Sequence, residues 1–308
     1  MKFNTASEFI DSYLNKVEFI TFEDVELPSY EWIRVREYCF DHSSSNPELS
    51  AILANIYIYG LGVNSDWTLA KTFCENAAKK GSLNAIFTLG IMHYDGKGFY
   101  QSYEKAIPYF EEAANKGLWR AQFKLAVCYT VPRGVRLNHE KAFELYLKVA
   151  KRGYPMAQFN AGRYILLEKV QYEKKEECIH WLKLAAEHNI ASAMYYLGDA
   201  YESGYYVEKN LEIAFSWYER SSISNNLSGH LKLAEYYEKG IFVEQNYQKA
   251  YEYYQKAVSN HDGKVKVREY EKNRCHTCGA FFTKTVVKGF FGEKTICSAC
   301  KKNYYYKF

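Results

Sequence analysis

The stretch that decides the fold is LANIYIYGLGV at residues 53–63, because five further versions of it follow at a fixed interval. They are LGIMHYDGKGF from Leu89, LAVCYTVPRGV from Leu125, AGRYILLEKVQ from Ala161, LGDAYESGYYV from Leu197 and LAEYYEKGIFV from Leu233. Each version begins 36 residues after the one before it, without an insertion. A fixed period of this length predicts stacked structural repeats.

The columns of this alignment predict a helix, a turn and a second helix in each copy. Small residues one place after the start and four places before it indicate a helix that a neighbour approaches closely. Glycines such as Gly60 and Gly62 then suit a turn with positive φ. The next column holds N-cap residues for the second helix, Asp66, Ser102, Asn138, Asn210 and Asn246. That helix is expected to stop at Gly81, Gly117, Gly153, Asn189, Asn225 and His261.

The full pattern is A-x-x-x-L-G-x-x-Y-x-x-G-x-G-V, then Asp or Asn, Ala, an aromatic residue, Ala-Ala and Gly. It resembles the Sel-one-like repeats (SLR), relatives of the tetratricopeptide repeats, over residues 47–261. Two copies depart from it: Pro132 replaces a turn glycine, and LLEKVQ at 166–171 has none, which predicts a different turn. The resemblance implies an adaptor or scaffold and implies no catalytic residue.

The resemblance also implies where a protein or peptide partner would bind. By analogy with tetratricopeptide grooves, the side chains two and six places after each start should face it. They are Asn55, Ile91, Val127, Arg163, Asp199 and Glu235, then Tyr59, Asp95, Val131, Leu167, Ser203 and Lys239. This surface is apolar in the early copies and charged in the later ones, and its tyrosine suits protein recognition. The alternative is that these side chains are merely solvated.

A different motif occupies the C-terminal region, where two Cys-x-x-Cys pairs are 18 residues apart. Between them, AFFTKTVV, a KG turn and FFGEKTI predict a β-hairpin. Cys275, Cys278, Cys297 and Cys300 would supply the four thiolates that Zn²⁺ prefers, in a closed and therefore structural site. The module resembles a zinc ribbon or a treble clef. A redox-active cysteine pair and an iron–sulfur site are the alternative interpretations of these cysteines.

The charge of the chain is concentrated in the same region. Residues 262–308 hold 11 Lys and Arg against 4 Asp and Glu, whereas the formal net charge of the whole chain is only +4. Basic and aromatic residues alternate there, which suits phosphate contact and base stacking. The candidate nucleic-acid contacts are Lys264, Lys266, Arg268, Lys272, Arg274, Lys301 and Lys302.

These patterns divide the chain into three predicted parts. Residues 1–46 form an N-terminal helical cap, with a helix in SYEWIRVREYCFDH that aligns Trp32, Val35 and Cys39. Residues 47–261 form six repeats, and residues 262–308 form the zinc module. The predicted fold is all-α, a right-handed superhelical α-solenoid of six 36-residue helix–turn–helix repeats plus the small β-hairpin module. We expect Cys39, Cys74, Cys128 and Cys178 to be buried free thiols.

The sequence also indicates which cellular compartment and which kind of activity to expect. The N-terminus lacks the apolar core of a secretory signal, and no stretch is apolar enough to span a membrane, so we expect a cytoplasmic protein. No nucleophile elbow, phosphate loop or His-Glu-x-x-His motif is present. We therefore expect a non-enzymatic interaction scaffold with one structural zinc ion and neither a membrane nor a small-molecule partner. The alternatives are a nucleic-acid-binding regulator and an inhibitor or immunity-type protein that wraps a toxin or enzyme.

Overall fold

The computed structural model describes residues 2–15, 22, 25–274, 280–282, 284–289 and 292–297. These residues contain 15 α-helices and two β-strands. The helices are α1 Ala6–Asn15, α2 Ser29–His42, α3 Pro47–Tyr59, α4 Trp67–Lys79, α5 Leu83–Asp95, α6 Tyr103–Asn115, α7 Trp119–Thr130, α8 His139–Ala150, α9 Pro155–Leu166, α10 Glu177–Glu187, α11 Ala191–Ser203, α12 Leu211–Ile223, α13 Leu227–Lys239, α14 Tyr247–Lys256 and α15 His261–Lys272. The strands are β1 Lys284–Gly289 and β2 Gly292–Cys297.

Twelve of these helices form six consecutive pairs, α3–α4 through α13–α14, at the predicted positions. The chain divides into two compact units, residues 1–161 and 162–308, and the division falls inside α9. In the first compact unit α3 to α8 pack consecutively, and in the second α10 to α15 do so. The predicted helix-pair repeat is confirmed, and the handedness of the array stays a prediction.

The caps of the second helices confirm the N-cap column. Each of the five side chains accepts a hydrogen bond from the backbone N–H three residues later, as Asp66 does from Leu69 at 2.9 Å and Asn210 from Ile213 at 2.9 Å. The residues at which the second helices were predicted to end, from Gly81 to Asn225, have positive φ angles. In the last copy the prediction is wrong, because His261 begins α15 instead of ending α14.

In the turn of the fourth repeat, Glu168 stands in the column that holds Gly60, Gly96, Gly204 and Gly240 in other repeats, so the left-handed position is kept without a glycine. Glu168 takes the left-handed conformation with φ of 49°. Its Oε1 accepts hydrogen bonds from Lys175 at 2.9 Å and from the Tyr206 hydroxyl at 3.0 Å. These two donors fix the Glu168 side chain beside a backbone conformation that residues other than glycine rarely adopt.

The small-residue column permits the close approach that the sequence predicted. A methyl group at Gly90 would lie 2.6 Å from the Phe110 ring, and one at Gly198 would lie 2.5 Å from the Tyr218 ring. Because interiors are close-packed, such contacts leave no room for a side chain. In the repeats that have glycine in this column, the first helix therefore seats a large residue of its own second helix, Phe110, Leu182 or Tyr218.

The helix α15 continues the repeat array. Its N-cap Asn260, its Gly263 and its buried Tyr270 each lie 34 residues after Asn226, Gly229 and Tyr236 of α13. A methyl group at Gly263 would collide with the backbone carbonyl of Ala257. The helix α15 is thus the first helix of a seventh repeat that is two residues out of register. The predicted boundary at residue 262 falls at its start.

A hairpin follows α15 in place of a second helix. Phe281 is 4% exposed and packs against Tyr251 and Tyr270, with ring centroids 4.9 and 5.2 Å apart. The strands β1 and β2 pair antiparallel, from Lys284 opposite Cys297 to Gly289 opposite Gly292. The segment before the strands is therefore anchored on the last helices of the array.

The N-terminal cap consists of α1 and α2, and α2 packs on α3. Trp32, Val35 and Cys39 are buried as predicted. Glu31 is also buried, and its carboxylate accepts from the Ala6 N–H at 2.8 Å and from Arg34 at 2.9 Å. The carboxylate therefore fixes the start of α1 against α2. The four repeat and cap cysteines are free and buried, which confirms their prediction.

No helix within the described ranges is both long and apolar enough to cross a membrane.

Candidate partner-binding groove

A groove lies on the first helices of repeats one to three, in the first compact unit. It encloses about 240 Å³. Its walls come from α3, α5 and α7, together with two single residues outside these helices. The lining residues are Phe22, Asn55, Tyr59, Phe87, Thr88, Ile91, Trp119, Arg120, Phe123, Lys124 and Tyr154, and we call this surface the aromatic groove.

Six aromatic side chains form most of the wall. Tyr154 holds two of them, because its ring centroid lies 4.8 Å from that of Trp119 and 5.0 Å from that of Phe123. On another side, Phe22 and Tyr59 stack with an interplanar angle of 8°. Rings that brace one another in this way keep the wall rigid, so binding costs little side-chain entropy.

Two cations share the groove with these rings. The Arg120 guanidinium lies 5.4 Å from the ring centroid of Tyr13 and 5.6 Å from that of Trp119. Lys124 Nζ lies 3.8 Å from the ring centroid of Tyr94. Burial raises the pKa of Tyr13 to about 12, although Arg120 acts in the opposite direction, so this hydroxyl stays neutral. Among the described lining residues there is no carboxylate.

Asn55 contributes a fixed polar group at the base of the groove. Its Nδ2 donates to the Ala51 carbonyl at 2.8 Å and lies 3.4 Å from Thr88 Oγ1. The amide nitrogen is therefore committed to the protein, and Oδ1 is the atom that Asn55 can offer to a ligand.

The structure brings three of the predicted partner-binding residues together: Asn55, Tyr59 and Ile91 line the aromatic groove. Asp95, Val127 and Val131 do not line it. The prediction missed Phe22 and Tyr154, which lie outside the first helices, and six residues on those helices. The six are Phe87, Thr88, Trp119, Arg120, Phe123 and Lys124. These lie one to six places before the starting residue, where a helical spacing of three or four extends the same stripe backwards. Extending the stripe would have found them.

The predicted residues of the later repeats lie in the second compact unit. There Glu235 accepts from Lys239 at 2.6 Å and lies 3.8 Å from Lys232. Burial raises the pKa of Asp199, and Lys232 opposes that shift. Arg163 is half-buried, whereas Leu167 and Ser203 are exposed. Several charged residues of this unit are therefore engaged with one another.

Two similar polar clusters tie consecutive repeats together in this unit. Glu202 accepts from the Tyr218 hydroxyl at 2.6 Å and from Lys232 at 2.8 Å. Glu238 accepts from the Tyr254 hydroxyl at 2.7 Å and from Lys266 at 3.0 Å. Both tyrosines lie 16 residues after their glutamate, whereas the lysines follow by 30 and 28 residues. The second lysine follows its glutamate by two residues fewer than the first, and this is independent evidence for the two-residue offset of α15.

One pair in the second compact unit has the residue types of a catalytic dyad. Ser222 Oγ lies 2.7 Å from His230 Nδ1, and both residues are buried. Between the second and third repeats the same two columns hold Ala114 and Gln122, and Gln122 Nε2 donates to the Ala114 carbonyl at 3.1 Å. The Ser–His contact therefore replaces a helix-pair hydrogen bond. Burial, assisted by Lys256, lowers the pKa of His230, which keeps it neutral.

The candidate nucleic-acid residues fall partly on α15. Lys266 lies 3.0 Å from Glu238 and 3.3 Å from Glu269, so its charge is already paired. Lys264 and Arg268 are exposed one turn apart, and Lys272 and Arg274 follow them. Lys301 and Lys302 lie outside the described residues.

The predicted metal ligands lie mostly outside the part of the chain that the structure describes. Cys275, Cys278 and Cys300 are outside it, and Cys297 is the last residue of β2. Among the residues that are described, no group of three or more potential ligands could hold a metal ion. The zinc site therefore stays a prediction.

Comparison with known proteins bears on the repeats. The sequence model of the Sel1 repeat matches six segments, residues 50–82, 83–118, 119–154, 155–190, 191–226 and 227–262. No curated protein matches the chain in sequence.

Solved structures with a similar fold come from several bacteria. The structure of c5321, a protective antigen of uropathogenic Escherichia coli strains with an SLR fold, is 26% identical with a TM-score of 0.68. That match covers 77% of this chain and 52% of c5321, so the chain spans about half of that protein's length. A Sel1 repeat protein from Oxalobacter formigenes is 23% identical with a TM-score of 0.63, covering 73% of this chain and 94% of that one. Pseudomonas aeruginosa pilF is 15% identical with a TM-score of 0.51, covering 78% and 99%.

Proposed function

Because the chain belongs to the Sel1 repeat family, we propose that it is a non-enzymatic scaffold that binds a protein or peptide partner. The aromatic groove is the observation that carries this proposal. It combines six aromatic rings, four of them on the first helices of three consecutive repeats, with Arg120 on the third of these helices. Aromatic residues and arginine dominate the affinity of protein interfaces, and helical repeats present them on a preformed surface.

Capture from a native lysate, with and without nuclease, tests the proposal. The bait would be the full chain, compared with Ile91→Arg in the aromatic groove and Val131→Arg as a control. Val131 is 45% exposed and lies outside the groove lining, so both variants add the same charge to an aliphatic position. We expect a stoichiometric protein partner that survives nuclease, is lost with Ile91→Arg and is retained with Val131→Arg. Equal capture by both variants would contradict the proposed surface.

Nucleic acid is the second candidate partner, and Lys264 and Arg268 on the exposed side of α15 are the observation in its favour. Against it, Lys266 is paired, and α15 also carries Asp262, Glu269 and Glu271. If only nucleic acid is recovered, and protein is lost after nuclease, the basic region is the binding site. An inhibitor or immunity-type protein would use the same aromatic groove, and the identity of the captured partner distinguishes it from an adaptor.

We also propose that Cys275, Cys278, Cys297 and Cys300 hold one structural zinc ion. The chemistry of the donor set supports this, because four thiolates close a tetrahedral site and leave no position for a substrate. The backbone supports it as well. Cys297 pairs with Lys284 at the open end of the hairpin, and Lys284 follows Cys278 by only six residues. When bound, the ion would supply folding free energy to the module, not catalysis.

Metal analysis of the full chain tests the zinc proposal. Protein purified with zinc supplementation is expected to contain one zinc ion per chain, and Cys297→Ser is expected to lose it. Cys178→Ser is the matched control, because that thiol is buried in the array. Unchanged zinc in Cys297→Ser, or visible absorption from an iron–sulfur cluster in the purified protein, would contradict the assignment.

A further inference from the structure

We infer that the outer face of α2 binds the same face of a second copy of this chain, with the two helices antiparallel. The inference goes beyond the proposed function, because no residue of α2 lines the aromatic groove. It follows from the apolar side chains that α2 exposes, from the order of its charges and from a cavity beside it.

The outer face of α2 is rich in large apolar side chains. Tyr30, Ile33, Tyr38 and Phe40 are all exposed, and the exposed fractions of Tyr30 and Phe40 are 61% and 63%. Among the described helices, no other exposes more than two large apolar side chains. Because soluble proteins rarely leave such side chains together in water, their clustering on one helix indicates a binding surface.

The spacing of these side chains suits contact with another helix. Tyr30, Ile33, Glu37 and Phe40 follow one another at intervals of three, four and three residues, which is the spacing of a two-helix seam. The buried residues of α2 lie on the side that packs against α1 and α3, so this stripe is on the opposite side of the helix. A second helix laid along the stripe would bury two aromatic rings and an isoleucine.

The order of the charges on α2 favours an antiparallel second copy. Arg34 and Arg36 come before Glu37 and Asp41 along the helix. Antiparallel copies place the basic pair of one helix near the acidic pair of the other, whereas parallel copies place like charges together. Arg34 donates to the buried Glu31 at 2.9 Å, but its side chain is 68% exposed, so its other N–H groups can reach a carboxylate.

A cavity of about 300 Å³ beside α2 gives the antiparallel contact a specific fit. It is lined by Arg36, Glu37, Phe40, Asp41 and Tyr57. The Tyr57 ring is held in place, because it stacks on Phe73 with ring centroids 5.9 Å apart and an interplanar angle of 9°.

The antiparallel arrangement brings Tyr30 to this cavity. Tyr30 is at the start of α2 and Phe40 is near its end, so the Tyr30 ring of one copy lies next to Phe40 of the second copy. The ring can enter the cavity there, and its hydroxyl can donate to the Asp41 carboxylate. Twofold symmetry forms this contact twice, so α2 is complementary to itself.

Sedimentation velocity of the full chain tests the inference. A contact between two 14-residue helices is small, so we expect a monomer–dimer equilibrium within about 1–300 µM protein. Tyr30→Glu and Phe40→Glu are each expected to raise the dissociation constant about tenfold or more, because either would bury an unpaired charge. The control is Tyr100→Glu, which adds the same charge to a tyrosine that is 98% exposed and should leave the constant unchanged.

Photo-crosslinking tests the direction of the two helices. A photoreactive phenylalanine would replace Tyr30, and the covalent dimer would be mapped by mass spectrometry. We expect crosslinks to the peptide of the second copy that contains Phe40 and Asp41. Crosslinks to the first turn of α2 in the second copy would indicate a parallel pair and would overturn the inference.

Two further outcomes would also overturn the inference. One is a monomer at every concentration, and the other is a dimer that folded Tyr30→Glu leaves unchanged. Tyr30→Ala is the milder variant if Tyr30→Glu unfolds, and circular dichroism checks each one. If the chain is monomeric and Tyr30→Glu removes a protein captured from lysate, α2 binds a different protein and the second copy is the wrong occupant.

Discussion

Replacing Tyr270 by alanine is expected to lower the free energy of unfolding of the C-terminal end of the array by about 3–5 kcal/mol. Tyr270 is fully buried, and its ring contacts those of Tyr251, Tyr254, Phe281 and Phe282. The substitution would leave a cavity between α14, α15 and the segment that precedes β1. Because repeat proteins can open from one end, hydrogen exchange by mass spectrometry is the suitable measurement. Protection in α14 and α15 should fall about a hundredfold or more.

Two controls separate packing from other effects. Tyr270→Phe keeps the ring and is expected to cost about 1 kcal/mol or less. Tyr100→Ala removes a tyrosine that is 98% exposed and should change the free energy by no more than about 0.5 kcal/mol. If Tyr270→Ala behaves like Tyr100→Ala, then α15 is not the first helix of a seventh repeat.

Replacing Glu202 by alanine is expected to lower the free energy of unfolding by about 2–3 kcal/mol at neutral pH. The Glu202 carboxylate is the acceptor for the hydroxyl of the fully buried Tyr218 and for the Lys232 ammonium. The side chains of Lys232 and Glu202 are only 24% and 21% exposed, so water replaces the lost partner poorly. Urea unfolding followed by circular dichroism measures the difference.

The same cluster predicts a dependence on pH. Burial would raise the pKa of Glu202, but the Lys232 and Tyr218 donors outweigh it and lower the pKa. The unfolded chain therefore takes up the proton first, and the contribution of Glu202 is complete above the ordinary pKa of about 4.3. It is lost as pH falls from there through the lowered pKa of the folded state.

Measuring the free energy of unfolding of the wild type and of Glu202→Ala across pH checks this dependence. The difference in stability between the wild type and Glu202→Ala should shrink as the pH falls below about 4. Glu208→Ala is the control, because Glu208 is exposed and should matter little at any pH. Equal stability of Glu202→Ala and Glu208→Ala at neutral pH would show that the cluster contributes nothing.

The repeats could be predicted from the sequence because their columns act locally. An N-cap such as Asn210 needs only its own side chain and the N–H of Ile213. The close approach at Gly90 depends on a second helix of the same repeat. Each constraint recurs every 36 residues, so six copies support the same prediction of a helix-pair repeat.

The seventh first helix was missed because its register is broken. After α13 the matching residues follow by 34 positions instead of 36, so Gly263 and Tyr270 fall outside the columns. The two missing residues are lost between Asn246 and Asn260, because α14 in this segment is shorter than its counterpart α12. The packing of Tyr270 against Tyr251 and Tyr254 and the hydrogen bond from Lys266 to Glu238 identify the helix.

The aromatic groove was only partly predictable because it joins side chains from three repeats. Asn55 and Ile91 sit in the column that the analogy pointed to. Trp119 and Arg120 occur in their columns in one copy only, and Tyr154 lies outside the first helices. Their convergence depends on how consecutive helices stack, which the residue pattern of a single copy does not specify.

Site-specific photo-crosslinking is the measurement that tests the scaffold function most directly. A photoreactive amino acid would replace Ile91 in the aromatic groove or Tyr100 on an exposed turn, and the full chain would be irradiated in native lysate. We predict that position 91 crosslinks to one protein and that position 100 gives no such product. Equal yields from both positions, or products that contain only nucleic acid, would contradict a protein-binding groove.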